Sequence, residues 1–351
     1  MKLKKFFVWL AVLPLLGAGC ISVSSAPKQG QGGGVFKSSD RGATWVNKTA
    51  LPTAKGTQSI GNADVLTFAF DPSDPKAVYI GTAGSGILYS YDGAETWQRA
   101  GGVASGRINA LAVHPEDKCT IFAALGNRLI KSSDCNRSYE IVYTDPRSEA
   151  QITSVIIDWF KPSRIYIATL SGDLQKSEDG GASWSPVNHW DDGIAGVIMS
   201  KGDSRKIWVA TKTQGLSLSE DGGINWQDLR KTMDEFDGAR AFQALAEDRS
   251  AAGTLIHASR FGLLKSADSG KTWQKMNILT PPQAVTITAL AVNPSNGADI
   301  YYTTQTKIYK SKDSGASWST ADLPTARQAS ALAVDPMDGN AVYLGVSQPK
   351  K

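Results

Sequence analysis

The chain has 351 residues, a formal charge of +4, 41% hydrophobic residues and three histidines. Removing residues 1–19 takes away three lysines, leaving 34 basic side chains against 33 acidic ones, a net of +1. Near neutrality excludes nucleic acid or another polyanion as the main partner. His114, His189 and His257 stand far apart, with no His-x-x-x-His or Cys-x-x-Cys spacing, which excludes a metal centre built on those patterns.

In chain order, MKLKKFFVWLAVLPLLGAGC comes first. Lys2, Lys4 and Lys5 form a basic start, Phe6 to Leu16 an apolar core too short to span a bilayer, and Gly17-Ala18-Gly19 a small-residue exit. This is the build of an export signal over 1–19. Its ending at Cys20 resembles a bacterial lipoprotein signal, which implies a lipid-anchored protein facing the periplasm or the cell exterior, held to the membrane by lipid alone. Residues 20–34, CISVSSAPKQGQGGG, have no hydrophobic period and are expected as a flexible tether. GQGGG lacks the Gly-Lys-Ser/Thr of a phosphate loop, and no cofactor is expected.

From residue 35 one pattern recurs. SSDRGATW (38–45), SYDGAETW (90–97), SSDCNRSY (132–139), SEDGGASW (177–184), SEDGGINW (219–226), SADSGKTW (266–273) and SKDSGASW (311–318) place an aspartate every 42 to 52 residues, at Asp40, Asp92, Asp134, Asp179, Asp221, Asp268 and Asp313. Between them lie paired runs rich in Val, Ile, Ala and Tyr, split by Pro/Asp/Ser/Gly turns, such as LTFAFDPSDPKAVYIGT (66–82) and ITALAVNPSNGADIYYTT (287–304). Each pair reads as strand, turn, strand. A third strand such as KIYKS (307–311) leads into each Asp turn, and the aromatic residue opens a fourth. Four antiparallel strands every 45 residues or so predict a β-propeller over 35–347 with a tail at 348–351. The first Asp motif has no strand pair before it and the last pair no Asp motif after it. Together they make one blade, so seven blades are expected, with 329–346 supplying the inner strands of the closing blade and 35–47 the outer ones.

Within each Asp turn the carboxylate and the serine hydroxyl are suited to accept backbone N–H groups that the ladder leaves free, and glycine supplies positive φ. The aromatic residue can pack between blades. The motif therefore reads as a structural fastener. Its weakest copy contains Cys135, and Cys119 lies in the preceding turn of the same blade. A hairpin of 120–124 and 129–133 around Gly126-Asn127 brings the two together, and a disulfide is expected, worth roughly 3 kcal/mol in the chain-entropy model.

These repeats resemble the Asp-box, or bacterial neuraminidase repeat, of sialidases, xyloglucanases, the sortilin ectodomain and photosystem II assembly factors. The resemblance implies a propeller with the Asp turns on its rim and leaves function open, since those relatives do unrelated work. The Arg-Ile-Pro motif that carries one arginine of a sialidase's cluster is missing, and a xyloglucanase cleft lies between two tandem propellers where this chain has residues for one. Paired carboxylates remain conceivable among Asp191, Asp192, Asp234, Glu235 and Asp237. A glycan ligand or glycoside hydrolysis is the second reading. The first is a non-catalytic, monomeric scaffold that binds a protein or peptide partner at the cell envelope.

Function on a rigid scaffold usually sits on long connections, here the inter-blade loops. Arg107, Arg240 and Arg327 each precede an innermost strand, with Arg147 nearby, and are expected at the channel mouth. The photosystem II assembly factors imply such an arginine patch. Trp190, with Asp191 and Asp192, and Phe236 are expected as exposed anchors beside it.

Overall fold

The computed structural model describes residues 32–349. Cys20 and the expected signal segment lie outside the described residues. Seven four-stranded antiparallel sheets stand in a ring: blades 1 to 6 span 65–99, 108–144, 152–189, 194–228, 242–275 and 289–322. In blade 7 the strands Gln328–Val334 and Val342–Ser347 pair with Val35–Ser38 and then Val46–Lys48. Val35 faces Gly345 and Phe36 faces Leu344 across the closing ladder. The ring is thus shut by hydrogen bonds between the two ends of the described chain, which gives blade 7 its full four strands.

Burial grades across each blade. Second strands such as Val78–Thr82, Ile165–Thr169 and Thr254–Ser259 are buried at every residue, because a neighbouring blade covers each face. Outermost strands such as Ser319–Asp322 are exposed throughout. The aromatic residue of each Asp motif stands one place before its outer strand and reaches back to the preceding blade. Trp97, fully buried, donates its indole N–H to the carbonyl of Lys48 at 2.9 Å, and Trp184 donates to Val142 at 3.1 Å. A tryptophan hidden this way removes on the order of 200 Å² from water, about 4–6 kcal/mol of transfer free energy.

The Asp turns have one construction. In blade 3 Ser177 Oγ donates to Asp179 Oδ1 (2.8 Å) and accepts the Gly181 N–H (2.8 Å), while Ser183 gives its N–H to Oδ1 (2.9 Å) and its hydroxyl to Oδ2. In every copy two consecutive residues after the aspartate have positive φ, from Arg41-Gly42 to Ser314-Gly315. In blade 2 they are Cys135 and Asn136, and Cys119 and Cys135 are joined by a disulfide. Asn136 compensates for the missing glycine: it accepts the Tyr139 hydroxyl at 2.6 Å and donates to Tyr91 of the neighbouring blade at 3.0 Å. Hydrogen bonds from Ser183 hold the Asp179 carboxyl well below its ordinary range. Replacing Asp221 by Ala should lower the melting temperature by about 2–4 °C and leave partner binding unchanged. Lost binding with unchanged melting would make the turn a site.

A second fastener escaped the sequence reading. After each innermost strand one side chain caps the turn two residues on. Asp71 accepts the Ser73 N–H, His114 that of Glu116, Asp158 Phe160, Ser200 Gly202, Asp248 Ser250, Asn293 Ser295 and Asp335 Met337. Four different residue types do this one job, which hides the pattern from a letter-by-letter alignment.

Two boundaries differ from expectation. The end of the expected tether belongs to the ring: Gly33 and Gly34 are buried, the Gly34 carbonyl accepts the Val346 N–H at 3.1 Å, and a Cβ on Gly33 would stand 2.5 Å from the Gly61 carbonyl. The inter-blade stretch 47–64 contains a hairpin, Ala50–Thr53 with Gly56–Ser59, turned by Gly56 at φ +109.

Candidate functional site

The antiparallel order puts the Asp turns and capped turns at one end of the central channel and the inter-blade loops at the other. All four expected arginines lie on the inter-blade end, but three of them, Arg147, Arg240 and Arg327, are bound to carboxylates at blade junctions. Arg147 makes two bonds to Asp145, both 2.9 Å, and a third to Asp173. Asp173 also meets His189 Nδ1 at 2.8 Å. Burial works against the Asp173 charge, yet Arg147 and His189 outweigh it and hold the carboxyl below its usual value. Arg240 pairs with Asp234. Arg327, only 12% exposed, meets Asp64 at 3.4 Å, and Asp64 also accepts the Gln348 N–H. Arg327 is therefore a clasp between blades 7 and 1. Arg107 alone of the four has no carboxylate partner among the described residues; its Nε donates to Asn109 at 2.8 Å.

The expected anchors are corrected. Trp190 is half-buried, donates to Ser217 Oγ at 3.0 Å and meets Trp226 edge-on at 5.0 Å, so it packs a blade junction. Asp192 accepts the N–H groups of Thr213 (2.6 Å) and Gln214 (3.1 Å) and caps that turn. Asp191 is 97% exposed. Phe236 packs edge-on against Phe261 at 5.2 Å. Loop sequence alone does not reveal this packing, because the partners come from the neighbouring blade.

Phe261 leads to a feature the sequence did not announce. Beside it the connection 275–282 and the edge of blade 5 at 261–263 enclose a groove of about 300 Å³. Phe261, Leu263, Met276, Ile278, Leu279, Pro281 and Pro282 line it, with Lys275, Asn277 and Thr280 as the polar side chains. Leu279 is 57% exposed at the lip, and the Thr280 hydroxyl is buried near that of Tyr302. The Pro-Pro pair fixes the strap and withholds two backbone donors, the one sequence cue that was available.

No family model matches the chain. It is 27% identical over 118 residues to an oligoxyloglucan-reducing end-specific xyloglucanase of Emericella nidulans, a match covering 32% of this chain and 14% of that protein. A xyloglucanase structure from Xanthomonas campestris superposes with a TM-score of 0.66 at 19% identity, over 82% of this chain and 51% of that one. YCF48 bound to a D1 peptide superposes with 0.63 at 13% identity, over 86% and 98%. The chain is a seven-bladed β-propeller. At these identities the likeness is one of fold, and the propeller spans about half of the xyloglucanase structure and a small part of the curated relative.

The propeller's acids can be surveyed for hydrolytic use. A glycoside hydrolase needs one carboxyl kept protonated near neutrality. Of the five acids considered from sequence, Asp192 caps a turn, Asp234 pairs with Arg240, and Asp237 accepts from Gln283 at 2.8 Å. Burial does push the Asp335 carboxyl up, but its Oδ1 already holds the N–H groups of Met337 and Asp338 in its own turn. Among the described residues no group of three or more His, Cys, Asp or Glu side chains could hold a metal ion.

Proposed function

We propose that this propeller is a non-catalytic scaffold that holds an extended segment of a partner protein across its inter-blade face. The groove between blade 5 and the connection that follows it carries the reading. Its apolar lining suits a Leu-, Met- or Phe-like side chain, whereas a sugar ring brings hydroxyls that the lining would leave largely unpaired. Exposed Arg107 and Arg260 on the same face are available to the segment's carboxylates. The fold shared with a protein solved with a bound peptide supports a partner of this kind. On the sequence, the scaffold is exported and attached through a lipid on Cys20.

A glycan ligand is the competing reading, favoured by the xyloglucanase matches. The deciding experiment captures partners of the full-length protein from its native envelope after mild crosslinking, beside a Leu279→Glu variant. Leu279 lies at the exposed lip, so the variant should fold. The expected result is a protein partner whose recovery falls at least tenfold in the variant. Equal recovery from both would sink the groove. Turnover of xyloglucan oligosaccharides by the purified protein would sink the non-catalytic assignment.

A further inference from the structure

The opposite mouth of the channel holds a cluster that neither the fold nor the groove uses. In the seven capped turns the residue after the capping side chain is proline in four blades: Pro72, Pro115, Pro294 and Pro336. In three consecutive blades it is Trp159, Lys201 and Arg249. Trp159 and the next residue, Phe160, are exposed at 37% and 67%. The Lys201 ammonium stands over the Trp159 ring, 3.0 Å from its centroid.

The charges here do not balance. Glu247 is the acid beneath the two cations, but its carboxylate oxygens are taken by the Ser200 hydroxyl and, at 3.0 Å, by the Lys201 backbone N–H. Asp158 is occupied by the N–H groups of Phe160 and Lys161 and by Arg164. Neither the Lys201 ammonium nor the Arg249 guanidinium has a carboxylate within salt-bridge reach among the described residues. Burial first, and then the neighbouring Arg249 charge, push the Lys201 pKa down to about 6, against the pull of Glu247 and Asp158. Two basic side chains from adjacent blades thus stand together beside an exposed aromatic pair, and the Arg249 charge disfavours a second charge on Lys201.

We propose that this mouth binds the carboxylate of a peptide, gripped between Lys201 and Arg249, with Trp159 and Phe160 covering the apolar side chain beside it. An incoming carboxylate supplies the counter-charge that lets Lys201 hold its proton beside Arg249. The aromatic pair sets the size of the ligand: a bare anion would leave it unused. The carboxylate can come from an Asp or Glu side chain or from a chain terminus. This site and the groove lie at opposite ends of the channel, so each can fail alone.

Three probes distinguish the sources: acetyl-Leu-Glu-Leu-amide, acetyl-Leu-Gln-Leu with a free terminus, and neutral acetyl-Leu-Gln-Leu-amide. Calorimetry on the full-length protein at pH 7 and low salt should show binding of the first or second and none of the third. Arg249→Gln, at an exposed position, should weaken it at least tenfold, and Lys201→Met likewise. Because about nine-tenths of a group with a pKa near 6 is neutral at pH 7, wild-type binding should take up close to one proton per complex. Lys201→Met should abolish that uptake. No binding of either carboxylate peptide, equal binding of the neutral peptide, undiminished binding by Arg249→Gln, or displacement by equimolar inorganic phosphate would overturn the proposal.

Discussion

Deleting residues 329–351 should abolish cooperative folding. The cut removes all but the first residue of the innermost strand Gln328–Val334 and all of Val342–Ser347, leaving Val35–Ser38 paired only with the short outer strand Val46–Lys48. It also strips cover from both neighbours. Val65 and Phe68 of blade 1 lose Gly345 and Tyr343, while the Tyr301 side of blade 6 loses Val334 and Val342. Tyr343, Leu344 and Val346 are themselves fully or almost fully buried. A domain stable by about 5–15 kcal/mol cannot absorb the loss of half a blade and two inter-blade faces. Calorimetric melting and protease resistance of the truncated protein would read this directly. A sharp transition near the full-length temperature would mean that the ring closes some other way.

The closing blade is legible in the sequence, because it rests on counting: seven Asp motifs, seven strand pairs, and one unmatched half at each end. The same holds for Cys119 and Cys135, which a two-residue hairpin turn forces together. Local motifs at fixed spacing carry their geometry with them. The site was far less legible. Trp190 looked like an exposed anchor because its loop is acidic, but its ring is packed against Trp226 of the next blade. Arg327 looked like a free cation, yet Asp64, 263 residues away in sequence, is its partner. Such pairings are made by the ring, not by the chain. The Trp159, Lys201 and Arg249 cluster had a readable signal, the three-blade lapse in an otherwise repeated proline. It went unseen because the capping residue before that position varies among Asp, Asn, Ser and His.

Acid should weaken the propeller through His257 before it reaches the Asp turns. His257 is fully buried, packed between Phe242 and Trp273 with ring centroids 6.0 and 5.7 Å away, and its Nε2 donates to the Ala239 carbonyl at 2.8 Å. Burial pushes its pKa down to about 4, and the Ala239 carbonyl only partly offsets this. Because the folded value lies below the ordinary 6.5, the unfolded chain takes up the proton first as pH falls. The contribution is therefore complete above pH 6.5 and is lost between 6.5 and about 4. Over the whole window it amounts to about 3 kcal/mol, most of it gone by pH 4.5. The Asp turns act lower, since Asp134, Asp221 and Asp313 are held near 2 by hydrogen bonds from their own turns. The two windows can thus be separated. Urea melts at pH 7 and 4.5 should show wild type losing about 2–3 kcal/mol more than a His257→Gln variant, whatever the variant's stability at pH 7. If the variant's stability falls as steeply as that of wild type, the buried imidazole is not what acid attacks first.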